Sequence, residues 1–325
     1  NSYLLINDGH GRFTDGTTKL APALRKAGLT TDAQWTDYDQ DGDLDLLVVG
    51  DWMPVKVFEN KQNKLVQKTS GTGLEKLNGL WQTIRGADFD KDGDIDFIAG
   101  NLGTNTKFRK SVPGGLKMYV KDIDGNGTLD QILTYELNGK WYPAASKDEL
   151  AKQIPLINKK FTNYKDFAGK TIEELFDKNQ LQGAQVMEVN TFESVYFENT
   201  GKGIFKQYAL PREAQVSKIF SFFIQDVNQD GNLDVLLGGN LYGVSTYQGR
   251  YDASYGLLLQ GNGQGKFTAV QPTTSGFLLE EQVRDMKSLR TANGELLLVA
   301  RNGLPLQIFE TNKRSVTHKP VIAGK

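Results

Sequence analysis

Four short aspartate-rich segments hold the residues best suited to chemistry. They align without gaps, and each begins with Asp, has Gly at its sixth position and ends with Asp at its ninth. Oxygen-bearing side chains at positions 1, 3, 5 and 9 turn inward by alternation, and the Gly permits a tight reversal around an ion. The segments are DYDQDGDLD at 37–45, DFDKDGDID at 88–96, DIDGNGTLD at 122–130 and DVNQDGNLD at 226–234.

These oxygen donors predict about four Ca²⁺ sites, because a hard cation that accepts six to eight flexible oxygen ligands suits them better than Mg²⁺ or Zn²⁺. An EF-hand needs Glu at position 12, where this chain has Val48, Ala99, Leu133 and Leu237. Four copies in register also argue against isolated Asp-Gly turns. The predicted side-chain ligands are Asp37, Asp39, Asp41 and Asp45; Asp88, Asp90, Asp92 and Asp96; Asp122, Asp124, Asn126 and Asp130; and Asp226, Asn228, Asp230 and Asp234, with backbone carbonyls from Asp43, Asp94, Thr128 and Asn232.

Each Asp loop leads into an apolar run of strand length, and a second recurring unit reads as strand, Gly-rich turn, strand. Together they predict a four-stranded antiparallel sheet, repeated along the chain. The predicted fold is all-β: a β-propeller over residues 1–325 with about five to six blades. The last blade, from Gln282, has lost its Asp loop. A hairpin at residues 3–13 either completes a blade with the C-terminal strands or belongs to a blade further upstream.

The 104-residue distance from Asp122 to Asp226 is interpreted as one blade with an insertion. Residues 146–182 have helical spacing, and Thr171 with Glu174 forms a capping box, which predicts two short helices on one face of the disc. The insertion is either a decorating loop or a lid that binds a partner.

The Asp loops with their trailing LDLLVVG-type strands resemble FG-GAP/VCBS repeats, the calcium-bearing blades also found in integrin α-subunit propellers. The segment LKMYVKDIDGNGTLDQIL followed by WYPAASKDEL is similar to the C-terminal region of Bacteroidetes surface repeat proteins. The resemblance implies export and a location outside the cell or on its surface, associated with the outer membrane. The chain opens at Asn1 without Met, so we interpret it as a fragment or processed product, with a signal or anchor upstream.

Composition excludes several functions. A net charge of −1 gives no field that would attract nucleic acid, and the absence of Cys removes thiolate chemistry. No apolar run approaches the roughly 20 residues needed to span a bilayer, so direct membrane insertion is not expected. The two histidines, His10 and His318, have no evident catalytic partners, and most clustered carboxylates are assigned to cations. We therefore expect no enzymatic activity, although propellers can also host hydrolases and lyases.

Two binding functions remain: a protein-interaction or adhesion scaffold, and a carbohydrate-binding or carbohydrate-acting surface module. Polar loops after the buried strands carry aromatic residues, which either form a platform for a glycan or a protein at the cell surface or pack between blades. These residues are Trp52, Trp81, Tyr242, Tyr247, Tyr251 and Tyr255.

Overall fold

The computed structural model describes residues 1–108, 115–292 and 294–310. The strands are β1 (Leu5–Asn7), β2 (Phe13–Asp15), β3 (Leu29–Thr36), β4 (Asp45–Met53), β5 (Lys56–Asn60), β6 (Leu65–Lys68), β7 (Gly79–Leu80), β8 (Thr83–Ala87), β9 (Asp96–Gly100), β10 (Leu116–Lys121), β11 (Asp130–Leu137), β12 (Lys140–Pro143), β13 (Gln185–Val189), β14 (Val195–Asn199), β15 (Phe205–Ala209), β16 (Ile219–Gln225), β17 (Asp234–Gly239), β18 (Leu257–Gly261), β19 (Phe267–Val270), β20 (Val283–Thr291), β21 (Gly294–Arg301) and β22 (Gln307–Glu310). The α-helices are α1 (Thr17–Leu20), α2 (Lys147–Gln153), α3 (Leu156–Lys160), α4 (Tyr164–Phe167), α5 (Ile172–Leu175), α6 (Lys178–Leu181) and α7 (Pro272–Ser275), and 3-10 turns cover Pro22–Lys26 and Arg212–Gln215.

The strands form antiparallel sheets of similar design, which confirms the prediction of an all-β fold. The first sheet has the order β3-β4-β5-β6, the second β8-β9-β14-β15 and the third β16-β17-β18-β19. The fourth sheet contains β20-β21-β22, and the N-terminal strands β1 and β2 pair with each other. In the first three sheets, the Asp loop joins the first strand to the second.

The second sheet is completed from a distant part of the sequence, which corrects the predicted order of blades. Strand β14 pairs with β9, with Val195 opposite Ala99, so the hairpin from Val195 belongs with the second Asp loop. The span from Asp122 to Asp226 is therefore not one blade with an insertion. Phe197 of β14 and Phe97 of β9 share one buried core, which is the physical reason for this pairing.

Residues 101–194 form an insert between β9 and β14. Its own sheet has the order β12-β11-β10-β13, and the third Asp loop joins β10 to β11 inside it. At the base of the insert the two chain ends are tied together, because Gly103 N donates to Phe192 O over 2.8 Å. The third Asp loop is therefore not a member of the main series of sheets.

The helices of the insert lie within the predicted range, but five short helices, α2 to α6, replace the predicted two. Ser146 caps α2 by accepting a hydrogen bond from Glu149 N, and the capping box of Thr171 with Glu174 is present as predicted. Pro155 cannot donate to the preceding turn, and α2 ends just before it. The helices cover the insert sheet through a buried apolar cluster that includes Ile132, Leu150 and Ile172.

The main sheets pack face to face in chain order. Alternate residues of β4 face opposite sides: Leu47 and Val49 pack toward the second sheet, whereas Leu46 and Val48 pack under the 3-10 turn at Pro22–Lys26. Further buried clusters join the second sheet to the third and the third to the fourth. The first strands of successive sheets, β3, β8, β16 and β20, lie side by side. No helix in the described ranges is long and apolar enough to cross a membrane.

Hydrogen bonds between neighbouring first strands hold the sheets together. A register shift in β3 precedes Asp32, whose Oδ2 accepts from Thr83 Oγ1 at 2.9 Å, from Ile84 N at 3.1 Å and from Arg85 Nη1 at 2.5 Å. A similar shift in β16 precedes Ser221, whose Oγ accepts from Met286 N of the next sheet. Bulges of this kind re-aim a side chain, here toward the next sheet.

Replacing Asp32 tests this connection. We expect Asp32→Ala to lower the free energy of unfolding by about 2 to 3 kcal/mol, because a buried backbone N–H and an arginine lose their acceptor. Denaturant unfolding measures the change, and the exposed Glu280→Ala serves as the control. Equal stability of the two variants would show that Asp32 does not join the sheets.

Candidate metal centre

The first Asp of each loop folds the loop around itself. In the first loop, Asp37 accepts hydrogen bonds from the backbone N–H groups of Asp41 and Gly42, at 3.1 and 3.0 Å. Asp122 and Asp226 accept from the corresponding N–H groups of the third and fourth loops. In the second loop Asp88 accepts from Lys91 N and Gly93 N, and in the third loop Asp122 also accepts from the equivalent Gly125 N. These bonds curl the backbone so that the other acidic side chains face the same space.

Two positions in each loop have left-handed backbone. The expected one is the sixth, where the Gly residues have φ between 85° and 97°. The fourth position also has positive φ, and sequence reasoning missed it because Gln40, Lys91 and Gln229 occupy it with φ of 61° to 65°. Only the third loop has Gly there, at Gly125. Left-handed backbone is unfavourable for residues other than glycine, so the other contacts of the loop must stabilise it.

The ninth Asp is a buried anchor. Its carboxylate accepts a backbone hydrogen bond from the end of the third strand of the same sheet: Asp45 from Asn60 N at 2.7 Å, and Asp96 from Asn199 N at 2.8 Å. In the third sheet the corresponding pair is Asp234 and Gly261 N, at 3.1 Å. Sequence reasoning did not single out Asn60 or Asn199. The repeated tripeptide Phe-Glu-Asn that ends at each of them is the signal that could have done so.

The structure brings most of the predicted acidic ligands together. In three loops of the described chain, one carboxylate oxygen from each member lies within 4.8 Å of the others. The fourth loop has Asn at its third position, and Asn228 Nδ2 donates to Asp230 Oδ2 over 2.9 Å. The groups are Asp37, Asp39, Asp41 and Asp45; Asp88, Asp90 and Asp96; and Asp122, Asp124 and Asp130.

Carboxylates in the first loop are buried without enough hydrogen-bond donors. Oδ1 of Asp39 and Oδ2 of Asp45 are buried and have no hydrogen-bond partner in the described structure. Burial, together with the charges of Asp39 and Asp41, raises the pKa of Asp45 to about 6. Burial and the Asp41 charge likewise raise the pKa of Asp39. Unpaired oxygens crowded in this way fit a cation that would be their missing partner.

The second loop also has buried carboxylate oxygens without enough hydrogen-bond donors, and its ninth residue, Asp96, is buried. Burial raises the pKa of Asp96 to about 7, although Tyr196 Oη donates to its Oδ2 over 2.7 Å. Burial and the neighbouring charges of Asp92 and Asp90 raise the pKa of Asp94 to about 6, and Asp94 Oδ1 is buried without a partner. The sequence predicted only a backbone carbonyl ligand from Asp94, so this carboxylate is an additional oxygen beside the centre.

The third and fourth loops differ in their acidity. Burial raises the pKa of Asp130, and it also raises the pKa of Asp234. Asp230, in contrast, has a lowered pKa, chiefly because Asn232 N and the Asn228 side chain donate to it. The fourth loop therefore satisfies more of its own oxygens and carries less unpaired negative charge. Carbonyl coordination by Asp43, Asp94, Thr128 and Asn232 remains a prediction.

The loops of neighbouring main sheets also contact one another. Gln40 Nε2 donates to Gly93 O over 2.9 Å, and Lys91 Nζ donates to Asn232 Oδ1 over 2.7 Å. The first, second and fourth loops therefore form a continuous row at one end of the stacked sheets.

Residues 37–99 match the family model of the FG-GAP-like repeat. This segment is an FG-GAP-like repeat. The match begins at the first Asp of the first loop and ends inside β9, so it contains two of the Asp loops and confirms the predicted FG-GAP family for this segment. No curated protein matches the chain.

The proposed aromatic platform is not a single surface. Trp81 is fully buried in the core between the two sheets of the FG-GAP-like repeat, and its indole N–H donates to Leu77 O. Tyr251 is also buried, and its main chain pairs with Leu241. Both assignments to a binding face are therefore wrong, because neither ring can reach a ligand. Trp52, Tyr242 and Tyr247 are half-buried, and Tyr255 is exposed.

Replacing one acid of the first loop with a neutral residue tests whether its unpaired carboxylates repel one another. In the presence of a chelator we expect Asp39→Asn to raise the free energy of unfolding by about 1 kcal/mol, because repulsion from the adjacent acids is removed. Thermal and denaturant unfolding measure the change. Asp8→Asn, in the exposed N-terminal turn, is the matched control. A loss of stability specific to Asp39→Asn in chelator would contradict crowding of unpaired charge.

Proposed function

We propose that this chain is a calcium-stabilised, propeller-type interaction module that works outside the cytoplasm as a protein-binding or adhesion scaffold. The FG-GAP-like repeat supports a β-propeller-like interaction module. The observation that carries the calcium part is the convergence of buried carboxylate oxygens that lack donors in the first two loops.

Calcium fits this donor set better than other common metals. All the converging groups are oxygens, and no Cys or His lies in the loops. Zn²⁺ favours nitrogen and sulfur ligands, and Mg²⁺ demands strict octahedral geometry that a flexible loop supplies poorly. In the first loop, the carboxylates of Asp37, Asp39, Asp41 and Asp45 would hold the ion. When bound, calcium supplies positive charge that offsets the cost of burying these carboxylates.

Calcium would act on stability rather than on chemistry. The ninth Asp joins its loop to the third strand, so an ion held by that carboxylate stabilises the whole sheet. Extracellular calcium modules bind with Kd of about 10⁻⁴ to 10⁻³ M, which keeps their sites filled outside cells and empty in the cytoplasm. Sites of this affinity in our chain would be filled at an extracellular or cell-surface location, which is the location that we propose.

The arrangement of the main sheets supports a propeller. Successive sheets stack face to face, and their first strands lie side by side, as the inner strands of blades do. The predicted five to six blades remain a prediction. The Asp loops occupy one end of these sheets, and the chain leaves for the insert from the opposite end, after β9.

The end with the insert is the better candidate for partner binding. The loop between β17 and β18 lies there, with Tyr242 under the Arg250 guanidinium at 4.0 Å and with Tyr255 exposed. Loops on a rigid scaffold are the usual place for recognition, and Tyr and Arg dominate protein hot spots. The insert packs beside this loop through a cluster that includes Tyr247, Tyr251 and Phe108. A carbohydrate ligand at the same aromatic surface is the second candidate.

Metal dependence is tested by thermal unfolding in chelator and then with added calcium or magnesium, beside a metal count by native mass spectrometry. We expect several bound calcium ions and a rise in midpoint specific to calcium, since each site stabilises the fold by about 2.7 kcal/mol at a calcium concentration of 100 times its Kd. Asp39→Asn should lose one ion and part of the rise, and Asp8→Asn should lose neither. If the protein contains no bound calcium and added calcium does not change the unfolding midpoint, the calcium role is excluded.

Partner binding is tested by presenting the calcium-loaded chain to an array of extracellular proteins and an array of glycans. We expect a protein signal that is lost in chelator and weakened about tenfold by Tyr255→Ala, as for a hot-spot tyrosine. Tyr3→Ala, at another exposed tyrosine, should leave it unchanged. A glycan signal removed by Tyr255→Ala would favour the carbohydrate alternative. The absence of a binding signal on both arrays would contradict an interaction role.

A further inference from the structure

Each of the four main sheets contributes a polar side chain to one place at the end opposite the Asp loops. Asp51 lies near the end of β4, Gln82 immediately precedes β8, Lys218 precedes β16, and Arg284 lies in β20. Asp51 Oδ1 accepts from Gln82 Nε2 at 2.9 Å and from Lys218 Nζ at 3.3 Å. The first strands of the sheets meet at this point, so the cluster is built by the packing of the sheets rather than by one flexible loop.

Two cations are held on one aromatic ring in this cluster. Lys218 Nζ lies 5.8 Å from the ring centre of Phe220, and the Arg284 guanidinium carbon lies 4.2 Å from the same point. The Lys218 side chain is only 8% exposed. Its pKa is lowered, first by burial and further by the charge of Arg284, with Asp51 acting against both. Burying Lys218 and half-burying Arg284 beside a single carboxylate is costly, because charged groups lose hydration.

Arg284 is half-buried and keeps free hydrogen-bonding capacity. Its Nη1 donates to Asn240 O and to Val283 O, and its Nη2 donates to Gln282 Oε1. A guanidinium has five N–H donors, so Nε–H and one Nη2–H are left. No carboxylate of the described chain lies within ion-pair distance of Arg284, whereas Lys218 is paired with Asp51. An anion with two oxygens can accept from these two remaining donors.

We propose that Arg284 and Lys218, with Phe220 between them, bind the carboxylate group of a small organic acid, such as an acidic sugar. The two cations and Asp51 sum to one positive charge, which suits a monoanion and disfavours a phosphate dianion. The carboxylate of the ligand would compete with Asp51 for Lys218, and Gln82 donates to Asp51. The Asp51 side chain is 33% exposed, and Arg284 and Phe220 are half-buried, so a ligand would approach from their side, whereas the Lys218 side chain lies deeper, at 8% exposed.

Calorimetric titration of the calcium-loaded chain with sodium glucuronate tests this site. Glucose is the matched neutral sugar and sodium acetate the matched simple carboxylate, all at constant ionic strength. We expect glucuronate to bind and glucose not to bind. Arg284→Gln should weaken glucuronate binding by about tenfold or more. Arg212→Gln, at an exposed arginine outside the cluster, should leave it unchanged.

Asp51→Asn distinguishes a ligand site from a structural ion pair. Removal of the competing carboxylate should strengthen glucuronate binding by about fivefold or more, because Lys218 is then free to pair with the ligand. Thermal unfolding of each variant confirms that it is folded. Binding of acetate as tight as that of glucuronate would assign recognition to the carboxylate alone, and tighter binding of glucuronate would add contacts from the sugar ring.

Three results would overturn the proposal. One is no heat of binding with either acid, and another is equal binding of glucose and glucuronate. The third is glucuronate binding that neither Arg284→Gln nor Asp51→Asn alters in the folded variants. The calcium sites lie at the other end of the sheets, so these outcomes leave the proposed calcium role separately testable.

Discussion

The buried carboxylate at the ninth position of each main Asp loop is the contact on which each full sheet depends. It ends the loop, starts the second strand and accepts a backbone hydrogen bond from the end of the third strand. Three separate stretches of chain are thereby fixed by one acidic side chain. A carboxylate buried in this way is unfavourable unless it is compensated, so the cation proposed for the loop would act on the same carboxylate that joins the strands of the sheet.

The two ends of the main sheets carry different kinds of side chain. At one end, negative side chains are crowded into tight loops that also contact each other through Gln40 and Lys91. At the other end, the loop between β17 and β18 carries aromatic and basic residues, and the insert leaves the second sheet after β9. The first end suits the proposed stabilisation by ions, whereas the second leaves Tyr255 exposed and Arg284 half-buried.

The sequence predicts local features well and distant pairing poorly. The Asp loops, the apolar strands after them, the Gly-turn hairpins and the capping box of Thr171 are encoded by neighbouring residues, and the structure confirms them. The pairing of β14 with β9 is not visible locally, because any hairpin of similar pattern could follow any Asp loop. The burial of Trp81 and Tyr251 likewise depends on which sheets meet, and the aromatic residues alone cannot reveal it. The left-handed backbone at Gln40 was missed because glutamine gives no signal for it.

The insert within the second sheet has a consequence for how the chain folds. Strands β4 and β5 are joined by a two-residue connection, Pro54 and Val55. Strands β9 and β14, which pair in the same way, are separated by residues 101–194. That difference is about five doublings of loop length, or roughly 3 kcal/mol of additional closure entropy for a flexible chain. An insert that collapses first onto its own sheet, with its ends joined at Gly103 and Phe192, would present β9 and β14 as near neighbours and remove most of that cost. The insert would then fold before the second sheet is complete, although the chain begins that sheet before it reaches the insert.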